Sequence, residues 1–339
     1  MKFYKDVFNK IISLDNLFNA WEKFKSDKRN KRDVQLFEWH LEQNIFQLHR
    51  DLKSKIYKHE GYTSFYIHDP KQRHIHKATV RDRVLHHAVF SILNPIFEQT
   101  FIHSSFSCRI DKGTHKGIDA LRVATRKVGN NGFKPCFILK CDIKKFFATV
   151  NHQILLDIIG KRIKDANAIW LLREIIGSFP NGVPIGNLTS QLFANVYLNK
   201  LDYFVKHDLR VKFYFRYTDD FVVVANNIKY LEEVFRLIKY FLETLALELH
   251  PNKITIRKLH QGIDFLGYVS FPHHSLLRTK TKKRILKKMK YGVMEYKRGS
   301  ITKERLEQSL QSYLGILSHA DAYDFANELK NKLWFWLSD

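Results

Sequence analysis

Apolar positions recur at helical spacing near the start of the chain. Within residues 13–58, Leu14, Leu17, Phe18 and Trp21 mark one helix, and Phe37, Trp39, Leu41, Ile45 and Leu48 a second. Between them lies the cationic run Lys23, Lys25, Lys28, Arg29, Lys31 and Arg32, which reads as a solvated loop or, more sharply, as a phosphate contact. Residues 62–76 alternate and carry Pro70-Lys71, predicting a hairpin, and helical patterns follow over 81–98 and 114–128. Phe137-Ile138-Leu139 predicts a buried strand that delivers Cys141 and Asp142 at its end. Residues 153–177 predict a helix, and Pro180-Asn181-Gly182 a turn. A further helix, with Thr189 or Ser190 as N-cap, runs through Leu192, Val196, Leu201 and Phe204. Residues 211–225 read as two strands joined tightly at Thr218-Asp219-Asp220. A helix over 229–246, short strands near 254–258 and 263–271, and an all-helical tail of about 60 residues complete the pattern.

Length and charge then narrow the class. At about 150 residues per domain, 339 residues suggest two to three domains. Lys and Arg number 57 against 34 Asp and Glu, a net charge of +23, while 45% hydrophobic residues exclude a disordered basic tail. A folded protein this positive binds polyanions, nucleic acid first and an anionic membrane surface second. No apolar run is long enough to span a bilayer, and MKFYKDVFNKIISLDN has no secretory signal pattern. Three cysteines without paired spacing suit reduced thiols and a cytoplasmic location rather than a disulfide framework or zinc site.

The chemistry centres on Tyr217-Thr218-Asp219-Asp220. Adjacent aspartates are ordinary turn residues, but here they stand between Phe213-Tyr214-Phe215 and Phe221-Val222-Val223-Val224. Carboxylates beside such strands raise each other's pKa and lose hydration, and a bound divalent cation removes both penalties. Asp142 is a third carboxylate ending a buried strand, 77 residues before Asp219. Strand-end aspartates converging in a sheet can hold two Mg²⁺ about 3.5–4 Å apart for phosphoryl transfer, leaving room for water and substrate phosphates.

The ordered series Asp142-x4-Phe147, Pro184-Ile185-Gly186-Asn187-Leu188-Thr189-Ser190-Gln191, Tyr217-Thr218-Asp219-Asp220, Asn252-Lys253 and Phe265-Leu266-Gly267-Tyr268 resembles the palm motifs of reverse transcriptases. Arg81-Asp82-Arg83-Val84, Asn94-Pro95-Ile96-Phe97-Glu98 and the segment from Ser104 to His115 resemble the finger motifs. Where most reverse transcriptases have Gln-Gly-x3-Ser-Pro, Ile185 replaces the Gln and Gln191 the Pro. That pattern, with the Cys108-Arg109 segment and Leu276-Leu277-Arg278, resembles prokaryotic enzymes of diversity-generating retroelements, in the superfamily of group II introns and retrons.

The resemblance implies an α+β right-hand polymerase. It would comprise an N-terminal helical extension (1–60), fingers (61–135), a palm (136–272, with a helical insertion at about 153–180) and a basic helical thumb (273–339). Asp142, Asp219 and Asp220 would be catalytic and hold Mg²⁺, two per site and replaceable by Mn²⁺, with the Ile143 backbone carbonyl as a further ligand. Lys253 would be a general acid for pyrophosphate. Lys71, Arg73, Phe146, Phe147, Gly186 and Gln191 would bind the nucleotide, with Phe147 excluding a 2′-hydroxyl, although Phe146-Phe147 would also suit ordinary core. Ile185, Gln191 and Arg109 would act on template and fidelity, with misincorporation opposite template adenines. Phe265, Leu266, Gly267 and Tyr268 would form a primer grip. Lys280, Lys283, Arg284 and Lys287 would track the duplex, with Ile285, Leu286 and Met289 turned to the core. The implied partners are dNTPs, a structured template RNA, the RNA–DNA hybrid and a small basic pentameric accessory protein, with no membrane, in a prokaryotic or phage-encoded cytoplasmic setting. Other readings stay open: an antiphage-defence reverse transcriptase of a related clade, an RNA-dependent RNA polymerase, against which Phe147 argues, and a catalytically inactive nucleic-acid scaffold.

Overall fold

The computed structural model describes residues 2–69 and 71–338. Four short helices open the chain: α1 (Val7–Ile12), α2 (Leu14–Lys25), α3 (Arg32–Trp39) and α4 (Leu41–Lys53). Ser13 accepts the Asn16 N–H and so starts α2. The second expected helix is broken at His40, whose backbone leaves helical geometry (φ −117°, ψ 37°). The break leaves Trp39, one of the residues whose spacing predicts that helix, in solvent at 84% exposure. Ile11, Leu17, Trp21, Ile45 and Leu48 instead bury in one core with the long helix α5 (Val80–Glu98), on which α1 and α2 pack directly. The expected hairpin forms ahead of it, pairing β1 (Thr63–Ile67) with β2 (Arg73–Lys77) in antiparallel register from Thr63↔Lys77 to Ile67↔Arg73. The Pro70 of its expected Pro-Lys turn lies outside the described residues.

After α6 (Thr114–Val128) come β3 (Phe137–Asp142), α7 (Phe146–Thr149), α8 (His152–Gly160), α9 (Ala166–Gly177), α10 (Leu188–Tyr203), β4 (Tyr214–Tyr217), β5 (Asp220–Ala225), α11 (Ile228–Thr244) and β6 (Thr255–Lys258). The helix expected over 153–177 is two, because Asp165 accepts the N–H groups of Asn167 and Ala168 and restarts the chain as α9. Helix α10 begins at Leu188 with Asn187 in the cap position; Thr189 and Ser190, expected there, lie in its first turn and are buried.

The central sheet has strand order β4-β5-β3-β6, each neighbour antiparallel. Its side chains alternate between two cores, as the period of two requires. Leu139, Cys141, Phe221 and Val223 join the layer containing α10 and α11, while Ile138, Phe215, Val222 and Val224 face α6 and the C-terminal helices. The strand expected over 263–271 is a hairpin of β7 (Ile263–Phe265) and β8 (Tyr268–Ser270), turning on Leu266 and Gly267, both at positive φ (53° and 95°). β9 (Ser275–Leu277) completes that small sheet, and α12 (Thr279–Lys297), α13 (Lys303–Leu317) and α14 (Tyr323–Ser338) pack behind it. Among the described residues no helix is long and apolar enough to cross a membrane.

Candidate active site

Sheet register brings the three aspartates to one place. β3 and β5 pair so that Asp142 stands opposite Asp220, and the Ile143 N–H donates to the Asp219 carbonyl at 3.0 Å. The β4–β5 turn therefore rests on the end of β3. Thr218 in that turn has φ 53°, a conformation costly for a β-branched residue. It is held from two sides: its hydroxyl donates to Ser107 Oγ at 2.6 Å, and its carbonyl accepts from Arg216 Nη1 at 3.1 Å.

Arg216 is fully buried in β4. Its Nε and Nη2 both reach the buried Asp202 carboxylate at 2.6 Å, and its other contacts are Ser105 Oγ (3.1 Å), Asn195 Oδ1 (3.3 Å) and the Thr218 carbonyl. All five guanidinium N–H groups can be satisfied in this way. Tyr214 donates to the same carboxylate at 2.9 Å. The network was not anticipated from the sequence. Its only signal there is a charged residue inside the apolar run Phe213-Tyr214-Phe215-Arg216-Tyr217.

The site is electrostatically loaded. Burial, reinforced by the Asp142 charge, raises the Asp219 pKa, with Lys253 and Lys71 opposing it. Burial pushes Asp220 up to about 6; Lys140, 3.4 Å away, opposes this, while Asp142 and Asp219 add to it. Asp142 Oδ1 accepts from Lys253 Nζ at 2.8 Å. Among the described residues no group of three or more His, Cys, Asp or Glu side chains converges as a formed metal site, and lysines stand beside two of the three carboxylates. The donor set still fits a hard divalent cation. It offers carboxylates that repel one another and a buried Asp220 Oδ1 without a hydrogen-bond partner among the described residues.

Other expected site residues divide. Ile143, buried immediately after Asp142, gives its N–H to the turn. Phe147 is half-buried, edge-on to Phe146 (ring centroids 5.6 Å apart). Phe146 itself is core, packed edge-on against Tyr197, which corrects its expected nucleotide contact. The Phe147 carbonyl accepts the Val183 N–H at 2.7 Å. Gly182 (φ 67°) is required beside it, since a Cβ there would lie 2.1 Å from that oxygen. Gly186 (φ 121°) packs on the hairpin: its Cβ would meet Ile75 Cγ2 at 2.9 Å, while the Ile185 carbonyl accepts the His76 N–H at 3.0 Å. Gln191 is exposed in the first turn of α10.

Lys71 and Arg73 are exposed on the hairpin, and the Lys71 charge reaches Asp219. Neighbouring Asp69 is ion-paired with Lys288 and lies 3.9 Å from Arg284, both on α12. On that helix Lys280, Lys283 and Lys287 are exposed and Arg284 partly so, while Ile285 and Met289 are buried and Leu286 half-buried, as expected.

Two expectations are corrected by burial. Arg109 does not face a template. Its guanidinium is tucked in and donates to Glu98 (2.8 Å) and to the carbonyls of Ile102 (2.6 Å) and Ser105 (2.8 Å), fastening the loop it belongs to. Phe265 and Tyr268 turn their side chains into the core, where the Tyr268 hydroxyl donates to the Ile316 carbonyl at 3.0 Å. Leu266 packs toward Gly117, whose Cβ would lie 2.9 Å from it, and the Gly267 carbonyl accepts the Arg278 N–H at 3.2 Å.

The reverse transcriptase (RNA-dependent DNA polymerase) family profile matches residues 58–270, and the chain belongs to that family. The fold is accordingly the α+β right-hand polymerase fold. The chain is 26% identical over 246 residues to protein YkfC of Escherichia coli, covering 60% of this chain and 62% of that one. It is 29% identical over 185 residues to the group II intron-encoded protein LtrA of Lactococcus lactis subsp. cremoris, covering 51% of this chain and 30% of that one. The chain thus spans less than two thirds of either relative. A solved structure of telomerase from Candida albicans, in complex with a fragment of telomeric RNA, aligns over 89% of this chain and 66% of its own at TM-score 0.49 and 12% identity.

Proposed function

We propose that this chain is an RNA-directed DNA polymerase that extends a primer on an RNA template with dNTPs. The observation that carries the reading is the strand register that sets Asp142 opposite Asp220 with Asp219 bonded to the end of β3. Asp142 and Asp219 would hold Mg²⁺ or Mn²⁺, with Asp220 supporting, and the metal would supply the positive charge that phosphoryl transfer needs. The chain's own groups do the rest. Lys71, whose charge reaches Asp219, and Arg73, exposed on the same hairpin, would attract a triphosphate, Arg73 by bidentate contact. Half-buried Phe147 lies under the incoming sugar. Lys253, bonded to Asp142 in the resting geometry, would donate a proton to departing pyrophosphate. The exposed lysines of α12 follow the hybrid backbone by shape rather than sequence. In this reading residues 61–135 are fingers, 136–272 palm and 273–339 thumb.

The finer assignment is a diversity-generating retroelement enzyme, error-prone at template adenines and working with a structured template RNA and a small basic pentameric accessory protein. Ile185 and the exposed Gln191 motivate it. Primer extension on a defined RNA tests both levels. Asp219→Asn should abolish incorporation of dNTPs, and an unaffected rate would end the polymerase reading. Sequencing the cDNA should show errors concentrated opposite adenine. Equal error rates at all four bases would remove the retroelement assignment while leaving the polymerase.

A further inference from the structure

The far end of the palm sheet carries a second charged feature. From Asp142 back to Phe137, and from Asp220 on to Ala225, the paired strands run six residues, a span of about 16 Å at about 3.3 Å per step. A groove of about 620 Å³ opens at that end, against Val224 and Ala225. Four cations line it: Lys127 from α6, Lys134 from the loop before β3, and Arg210 and Lys212 from the loop before β4. All four are exposed, no acidic side chain contributes to the lining, and among the described residues none of the four is in an ion pair. The cationic residues nearest the aspartates differ, since Lys140 and Lys253 are both paired there. Asn130 and Asn226 add amides, and Tyr230 adds an aromatic ring that is 37% exposed.

Four like charges in one depression repel each other with no acidic side chain in the lining to offset them, Lys212 alone resting over the Phe213 ring, so the groove is favourable for an extended anion. A concave floor with amides and an aromatic edge suits a sugar–phosphate strand with an occasional stacked base better than a flat bilayer. We propose that this groove is an RNA-backbone binding site, separate from the polymerase cleft, that holds a stretch of RNA not being copied. The proposal does not depend on nucleotide incorporation.

The test uses the full chain, a fluorescent RNA hairpin as probe, and the triple variant Lys127→Gln/Lys134→Gln/Lys212→Gln. These side chains make no hydrogen bond or ion pair among the described residues, so folding should be preserved, and primer extension on a short hybrid checks it. In the wild type, bound hairpin should protect the three lysines from acetylation read by mass spectrometry. In the variant, the slope of log affinity against log salt should fall by about 2–3, and hairpin binding at physiological salt should weaken about tenfold or more. Asp219→Asn should keep the wild-type slope, so that lost incorporation and lost groove binding are told apart. An unchanged slope in the triple variant, or lysines equally reactive with and without hairpin, overturns the proposal. So does protection by phosphatidylglycerol vesicles but not by RNA.

Discussion

Replacing Arg216 by Met would test the claim that the β4–β5 turn is held from beneath by a buried ion pair. Arg216 and Asp202 are both fully buried and joined by two bonds of 2.6 Å. Truncating one partner of such a pair leaves the other charge desolvated, which costs about 3–5 kcal/mol. At 1.36 kcal/mol per power of ten, the folding equilibrium falls between about two and four powers of ten. For a chain of this length, with a urea dependence near the upper end of about 1–3 kcal/mol/M, the midpoint should drop by about 1–2 M. Adding Asp202→Leu removes the stranded carboxylate and should recover most of that loss, short of about 1 kcal/mol for the orphaned Tyr214 hydroxyl. Incorporation in the double variant should stay depressed, because the Thr218 carbonyl has lost its donor whatever the global stability. A single variant that unfolds at the wild-type urea concentration would refute the reasoning. So would a double variant less stable than the single one.

Gly182→Ala should destabilise by about 2 kcal/mol or more and lower incorporation, since both a positive φ and the Phe147 carbonyl oppose a Cβ there; thermal unfolding and primer extension read the two effects. The His87 ring, against Phe24 and near Lys28, Lys23 and Arg83, titrates at about 4, held down chiefly by burial and then by those charges. Its unfolded value is 6.5, so the unfolded chain binds the extra proton between these limits. Its contribution to stability should be complete above pH 6.5 and lost as pH falls toward 4. His87→Gln should flatten the urea midpoint over that window, and an unchanged slope would count against it. Lys253→Met should tighten Mn²⁺ binding measured by titration calorimetry, because the ammonium now resting on Asp142 competes for the same oxygen, and it should slow incorporation.

Much of the site was legible because it lies on simple strands. Phe137 to Asp142 and Asp220 to Ala225 are apolar runs ending in carboxylates, and a period of two leaves little freedom in how they pair. What could not be read has a tertiary origin. Phe146 and Phe147 are chemically identical neighbours, and only the packing of Tyr197 decides which one is core. Arg109 looks like a free cation until Glu98 and two carbonyls close around it. Apolar patterning alone reads 263–271 as one strand, because Leu266, which carries no turn signal, adopts a positive φ beside the one residue that does, Gly267. His40 and Asp165 mark helix breaks inside stretches whose apolar spacing runs on through them.

The contacts of Asp69 with Lys288 and Arg284 fasten the β1–β2 hairpin to α12. Exposed pairs of this kind contribute at most about 1 kcal/mol each and weaken once the Debye length contracts toward about 8 Å at physiological ionic strength. Added salt therefore loosens the hairpin from α12 while it also weakens the hold of this basic surface on a polyanion.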